Sequence, residues 1–264
     1  MLKLTHINKT FFPNTINEKI ALKDINLTIE DGEFVTVIGG NGAGKSTMLN
    51  IIAGSIPVDS GMILVDDEDI TNLPEYKRAS ILGRVFQDPM MGTAPTMQID
   101  ENLAIAARRG DTRGLKWGIS KEEREEYKKL LSDFELGLED RLSAKVGLLS
   151  GGQRQALTLL MATLRKPKVL LLDEHTAALD PKTAAKVLDI TDKIIEKSKL
   201  TTFMVTHNMK DAINHGNRLL MFNEGRIILD IKGEEKKKLT VEKLLKQFEK
   251  ISGEEFSNDS AILN

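Results

Sequence analysis

Hydrophobic and polar positions alternate in LKLTHI near the start of the chain and again in INLTIEDGEFVTVIGG, where Asp31-Gly32 breaks the run. Alternation of period two with β-branched residues predicts strands joined by a turn. After Gly44 the period lengthens, and KSTMLNIIAG predicts a helix that ends at Gly54. GMILVDDEDI and ILGRVFQDP predict two short strands. From Asp100 to about Leu136 the pattern is helical and charged, with KEEREEYKKLLSDF an exposed amphipathic stretch. KVLLLDE is an unbroken apolar run closed by two acids, the pattern of a strand buried on both faces of a parallel sheet. A helix over Pro181–Glu196, a strand at TTFMVTH, a short helix and two strands around Asn223-Glu224-Gly225 follow. The segment 232–264 is charged and predicts one helix, VEKLLKQFEKI. The fold class expected is α/β. It has a mostly parallel core sheet, an antiparallel β flank and an inserted helical subdomain over 88–165.

Composition narrows the function classes. With 264 residues and one copy of each motif below, the chain reads as a single domain, 1–264. Charged residues are 29% of the chain but the net charge is only −2, which gives no general electrostatic grip on nucleic acid. The chain has no cysteine, so disulfides, thiolate metal sites and a cysteine nucleophile are excluded. MLKLTHINKTFF lacks a signal peptide's apolar core, and the longest apolar stretches fall short of a bilayer span. The expectation is a chain soluble by itself, with any membrane role exercised through a partner.

Three stretches carry chemistry. GGNGAGKST, Gly39 to Thr47, has the phosphate-loop pattern between a strand and a helix. The backbone around Asn41, Gly42, Ala43 and Gly44 can curl about phosphate oxygens, Lys45 can reach the β- and γ-phosphates, and the Ser46 hydroxyl can ligate Mg²⁺, with Thr47 beside it. Asp173 ends the buried VLLLD strand, at the sheet edge where ligands gather, and can hold Mg²⁺. Glu174 follows, placed to polarise a water that attacks the γ-phosphate. The third stretch, LLSGGQRQA, opens a helix with two glycines. Glycine there is costly unless something must approach its backbone closely, and a helix N-terminus suits a phosphate.

Gly39–Thr47, Leu149–Gln153 and Val169–Glu174 together resemble the ABC-type ATPases, and the resemblance covers nearly the whole chain. It extends to Gln87 in VFQDP, to Ala177–Asp180 (AALD) and to His207 in MVTHN. The resemblance implies two subunits head to tail, a homodimer or a pair of related subunits. Ser150, Gly151, Gly152 and Gln153 of one would cap the ATP held by the phosphate loop of the other, with Asp180 nearby. It implies ATP and Mg²⁺ as ligands, the ion held by Ser46, Gln87 and Asp173, and His207 contacting the γ-phosphate. Phe11 resembles the aromatic that stacks on adenine. It is preferred to Phe12, because strand alternation turns one of the pair to the core; a core position for both is the alternative. The chain departs from the family at His175, where a proline commonly follows the glutamate. A tolerated surface side chain is the expected reading, against a titratable group beside the chemistry.

The function expected is the ATP-hydrolysing subunit of an ABC transporter, an importer in preference to an exporter. Separate integral membrane permease subunits and an extracytoplasmic substrate-binding protein are the partners. The location expected is the cytoplasmic face of the membrane, peripheral through the permease. The alternative is a soluble ABC ATPase outside transport, such as an iron–sulfur cluster assembly type. A nucleotide-binding module without turnover is disfavoured because Glu174 and His207 are both present. GTAPTMQIDENLAIAARRG and GEEFSNDSAIL look similar to importers that go with amino-acid-type binding proteins. Met90, Met91 and Met97 lie just past Gln87. Met91 or Met97 would line a docking groove for a permease helix, against all three filling the core of the insertion.

Overall fold

The computed structural model describes residues 1–111 and 118–252, so GEEFSNDSAIL lies outside the described residues. The chain opens with β1 (Leu2–Phe11), β2 (Lys19–Ile29) and β3 (Phe34–Gly39), then α1 (Lys45–Ala53), β4 (Ser60–Val65) and β5 (Glu68–Asp69). Next come α2 (Glu75–Arg78), β6 (Leu82–Val85), α3 (Ile99–Ala107), α4 (Lys121–Ser132) and α5 (Gly151–Thr163). The second half runs β7 (Val169–Asp173), α6 (Pro181–Ser198), β8 (Thr201–Val205), α7 (Met209–Asn214) and β9 (Arg218–Asn223). It closes with β10 (Arg226–Lys232), α8 (Glu234–Lys237) and α9 (Val241–Ser252).

The strands form two sheets. The core sheet has the order β10-β9-β3-β8-β7-β6; its last five strands are parallel and β10 pairs antiparallel with β9. The flank is an antiparallel sheet of order β2-β1-β4-β5. Every residue of β3 and of β8 is buried, as is all of β7 except the terminal Asp173. A run buried on both faces has no solvent side to alternate toward, which is why these segments read as unbroken apolar stretches. Val37 pairs with Val205, and Val205 with Asp173, so β3, β8 and β7 end level with one another. The loops that leave these three strands are thereby delivered to one edge.

Three cores fill the layers. One joins the flank to the sheet through α1, with Leu2, Ile29, Met48, Ile52 and Phe203 buried. A second packs α3, α4 and α5 against the other face, with Leu103, Leu131, Leu157 and Leu172. The third shows what the charged tail does. Leu239, Leu244 and Phe248 are buried against Met209, Leu219 and Met221, and the short helix α8 precedes the one that was expected. The tail is amphipathic, so its charge count concealed a packed face.

Arg78 is a buried ion whose hydrogen bonds go to backbone carbonyls. Its guanidinium donates to the carbonyls of Leu73, Ile51, Ile52 and Thr71, each at 2.8 Å. Ile51 and Ile52 lie in the last turn of α1, where carbonyls lack helical partners and the dipole is negative. This side chain joins the Gly54 amide cap in holding the C-terminus of α1, the helix that begins in the phosphate loop. Arg78→Met keeps much of the volume but removes all four bonds. Its unfolding free energy falls by about 2–4 kcal/mol, the range for stranded buried polar groups. Urea unfolding checks this: the midpoint drops with an unchanged slope.

Candidate functional site

The phosphate loop leaves β3 and enters α1. Gly44 caps α1 with a φ of 110°, and a Cβ there would meet the Ala21 carbonyl oxygen at 2.6 Å, so only glycine passes. Phe11, Lys19, Ala21, Asn41, Lys45 and Thr47 are among the residues lining a cleft of ≈ 260 Å³ over this loop, and Glu174 reaches into it from β7. Gly42, Ala43, Gly44 and Ser46 complete the loop's share of that cleft. Lys45 is buried, and its ammonium donates to the carbonyls of Gly39 at 2.7 Å and Gly40 at 3.1 Å. Burial lowers its pKa, opposed by the charges of Glu174 and Asp173.

Glu174 and His207 meet across the ends of β7 and β8, with Oε2 3.5 Å from Nδ1. The contact lowers the Glu174 pKa and raises that of His207, so each favours the charged form of the other. Asp173, one residue earlier, is pushed up by burial and drawn back by Arg84, whose Nη2 is 3.7 Å from Oδ2. Serine, glutamine and aspartate oxygens at Ser46, Gln87 and Asp173 are the hard donors that Mg²⁺ selects. Among the described residues no group of three or more His, Cys, Asp or Glu could hold a metal unaided. A site that borrows phosphate oxygens fits such a donor set.

The phenylalanine pair falls differently from strand alternation. Phe11 is half-buried and lines the cleft, as preferred, but Phe12 is 66% exposed rather than in the core. β1 ends at Phe11, and Phe12 takes a φ of 51°, so the alternation stops one residue too soon to turn it inward. His175 corrects a second expectation. It is not on the surface but 2% exposed, with Nε2 3.1 Å from Thr191 Oγ1. Burial drives its pKa down to about 4, leaving it neutral near pH 7.

The residues expected to serve a partner subunit stand outside the cleft lining. Ser150 caps α5: its hydroxyl accepts from the Gln153 amide at 3.3 Å, and Gln153 Oε1 accepts from the Ser150 amide at 3.2 Å. Gly151 and Gly152 begin the helix, and they pack closely on their own chain. A Cβ on Gly152 would fall 2.1 Å from Thr183 Cγ2, and one on Gly151 would be 3.1 Å from Leu179 Cδ2. Close packing on α6 is therefore one reason for glycine at 152, independent of any phosphate. Asp180 caps α6 by accepting from the Thr183 amide at 3.1 Å. Gln87 is exposed just past β6 and also lies outside the cleft lining.

A second cleft, of ≈ 410 Å³, runs between α2, β6 and the helices α3 and α5. Met91 lines it, together with Arg84, Phe86, Ile105 and Met161, and is 69% exposed. Arg84 stacks over Phe86 at 4.5 Å and donates to Asn50 Oδ1 at 2.6 Å, so it touches this cleft, α1 and Asp173 at once. Sequence reasoning missed Arg84 and also Lys19, whose ammonium lies 2.9 Å from where a Gly42 Cβ would stand. Neither belongs to a motif. Only the strand pairing brings them to the site.

Residues 22–177 match a family model described as ABC transporter. The chain is 50% identical over 250 residues to a tyrosine transport ATP-binding protein of Clostridioides difficile, covering 94% of this chain and 99% of the relative. It is 37% identical over 232 residues to a spermidine/putrescine import ATP-binding protein of Haemophilus influenzae. That match covers 87% of this chain but 57% of the relative's length. Among solved structures, a dimeric ATP-binding cassette in a post-hydrolysis state, bound to ADP and Pi, superposes with a TM-score of 0.75 at 32% identity. The superposition covers 88% of this chain and 98% of that one.

The Gly152 contact yields a packing test. Gly152→Ala lowers the melting temperature by several degrees, as a strained or overpacked site of about 1–3 kcal/mol does. Thr183→Ser removes the obstructing methyl, and the double variant recovers most of the loss. Thermal scans of the four proteins check it; an unchanged melting temperature for Gly152→Ala removes close packing as the constraint.

Proposed function

Starting from the fact that the chain belongs to the ABC transporter family, we propose that it energises uptake of an amino acid of the tyrosine class. The chain is an ATPase, the ATP-binding subunit of an importer-type ABC transporter. The observation that carries the cargo is the end-to-end match to a tyrosine transport subunit, against partial coverage of the polyamine subunits. Tyrosine uptake that persists at the parental rate after deletion of this chain's gene, with polyamine uptake lost instead, would overturn the cargo.

In the proposed cycle two copies face each other head to tail and enclose two ATP molecules. Phe11 stacks on adenine, and the loop amides of Gly39–Thr47 with Lys45 hold the phosphates. Ser46, Gln87 and Asp173 would hold Mg²⁺, which when bound offsets the charge of the β- and γ-phosphates. Glu174, ionised because His207 stabilises its carboxylate, takes the proton of the attacking water. His207 donates a hydrogen bond toward the γ-phosphate. Ser150, Gly151, Gly152 and Gln153 present the N-terminus of α5 to the other copy's γ-phosphate, with Asp180 at the seam. The all-oxygen donor set and the absence of the α5 N-terminus from its own phosphate-loop cleft support this reading.

The permease subunits would supply a short helix to the ≈ 410 Å³ cleft that Met91 lines, and an extracytoplasmic binding protein would deliver the cargo to them. Among the described residues no helix is long and apolar enough to cross a membrane, which suits a peripheral subunit at the cytoplasmic face. The Gln155 amide donates to the Phe86 carbonyl at 3.3 Å, so the wall of this cleft is tied to the segment that carries Gln87.

Three measurements test the proposal. Glu174→Gln binds ATP like the parent, hydrolyses it about 10²–10⁴-fold more slowly and accumulates as an ATP-bound dimer on size exclusion; parental turnover would remove Glu174 from its role. Lys45→Ala weakens ATP binding by the single subunit, whereas Ser150→Arg spares it and abolishes dimerisation and turnover. Mixing those two variants regains partial turnover, because one composite site per heterodimer is intact; loss of monomer binding in Ser150→Arg would refute the shared site. In this cysteine-free chain, Met91→Cys cross-links to a co-expressed permease. A Met91→Cys protein that is labelled freely in the assembled complex would leave the cleft without its helix.

A further inference from the structure

Glu174 occupies a backbone conformation that a glutamate does not favour. Its φ is 42°, in the left-handed region, where a non-glycine residue persists only when its surroundings over-determine it. Two backbone bonds contribute. The Glu174 amide donates to the Val205 carbonyl at 2.9 Å, and its own carbonyl accepts from the Ala177 amide at 3.0 Å. One ties the turn to β8 and the other closes the turn on itself; neither of the two ties it to the body of α6.

The next side chain does. His175 is buried on α6, with Nε2 3.1 Å from Thr191 Oγ1. The Thr191 hydroxyl already donates its proton to the Val187 carbonyl, at 2.8 Å. The oxygen is therefore left as an acceptor, and His175 must donate through Nε2–H. Thr191 is itself a fixed post. It is fully buried, and the next residue, Asp192, holds His215 Nδ1 at 2.7 Å at the end of α7. The His215 carbonyl in turn accepts from the buried Lys236 ammonium. A ring fills the space under the turn, and its directional bond locates that turn along the helix.

We propose that His175, bonded to Thr191, is a positioning residue that fixes the Glu174 carboxylate against the attacking water, doing by a side-chain bond what a rigid backbone residue would do in its place. The proposal rests on Glu174 being the base. It requires that loss of the bond lower turnover without lowering nucleotide affinity, since the phosphate loop is held separately by β3 and α1.

Thr191→Val is nearly isosteric and removes the hydroxyl, and with it both the acceptor for His175 and the local bond to the Val187 carbonyl. The full chain with this change loses about tenfold in kcat, within the hundredfold that an ångström of misplacement costs. Its KM for ATP, and its affinity for the non-hydrolysable analogue AMP-PNP, stay within about twofold of the parent. Thr191→Ser restores the hydroxyl and with it kcat. In a Glu174→Gln background, Thr191→Val has no further effect, because there is no base left to misplace. Should Thr191→Val fail to fold, His175→Gln, which keeps a donor at the same reach, and His175→Leu, which does not, carry the same comparison: the first retains kcat and the second loses it. Parental kcat in Thr191→Val, equal losses in Thr191→Val and Thr191→Ser, or an equal loss in the Glu174→Gln background would each overturn the role. A Glu174→Gln protein that turns over at the parental rate would instead overturn the base.

Discussion

The last rung of the β7–β8 ladder sets the rest of the site. The Glu174 amide donates to the Val205 carbonyl at 2.9 Å, and the Thr206 amide donates to the Val37 carbonyl at 3.0 Å. These two bonds make three strands finish together, so the phosphate loop, the acid pair and His207 leave the sheet at one edge. Parallel strands impose this. Their bonds run with one polarity, so every carboxyl end faces the same way and loops from distant sequence meet there. Lys45 and Glu174 line one cleft and His207 meets Glu174, although the three have little sequence proximity.

Charge is arranged around that edge in pairs that correct one another. Burial pushes Asp173 toward its neutral form, and Arg84 at 3.7 Å draws it back. Burial also lowers the pKa of Lys45, opposed in part by the two acids. Glu174 and His207 each favour the charged form of the other. Each of these charges is thus opposed by burial and favoured by a neighbouring charge, in a half-buried place where a field aimed at phosphate is little screened.

Much of this was legible in the chain because the decisive signals are local. The phosphate loop, the acid pair after an apolar run and the glycines of α5 each lie within ten residues, and the flanking period distinguishes strand from helix. The structure departs from that reading where a contact spans the sequence. Phe12 escaped the core because β1 ended in a left-handed residue that no alternation announces. His175 looked like a surface substitution, and only α6 lying over the turn buries it. Arg78 lies in no motif and carried no signal in the sequence. Its four carbonyl partners come from two segments, one of them more than twenty residues earlier. The tail's charge hid Leu244 and Phe248, since an amphipathic helix scores as polar until its face has something to cover.

Helix α6 carries the His175 contact and also one with α5, and this gives glycine at the start of α5 a second meaning. Thr183, in the first turn of α6, lies against Gly152, and Thr191, roughly two turns later, holds His175. One rigid helix thus touches both the end of α5 that would face another copy's phosphate and the turn that carries this copy's Glu174. A side chain at 152 would hold the two helices apart. Glycine instead lets α5 rest directly on α6, so a displacement of the α5 N-terminus cannot be absorbed by a soft contact. It must move α6 or be resisted by it. Asp180 caps the same helix and Asp192 pairs with His215 on its far side, so α6 is held at both ends of this stretch. In the proposed dimer, closure on one nucleotide would therefore bear on the base that serves the other. The two phosphate-facing parts of a single chain would then work in different sites, joined by their common packing on α6.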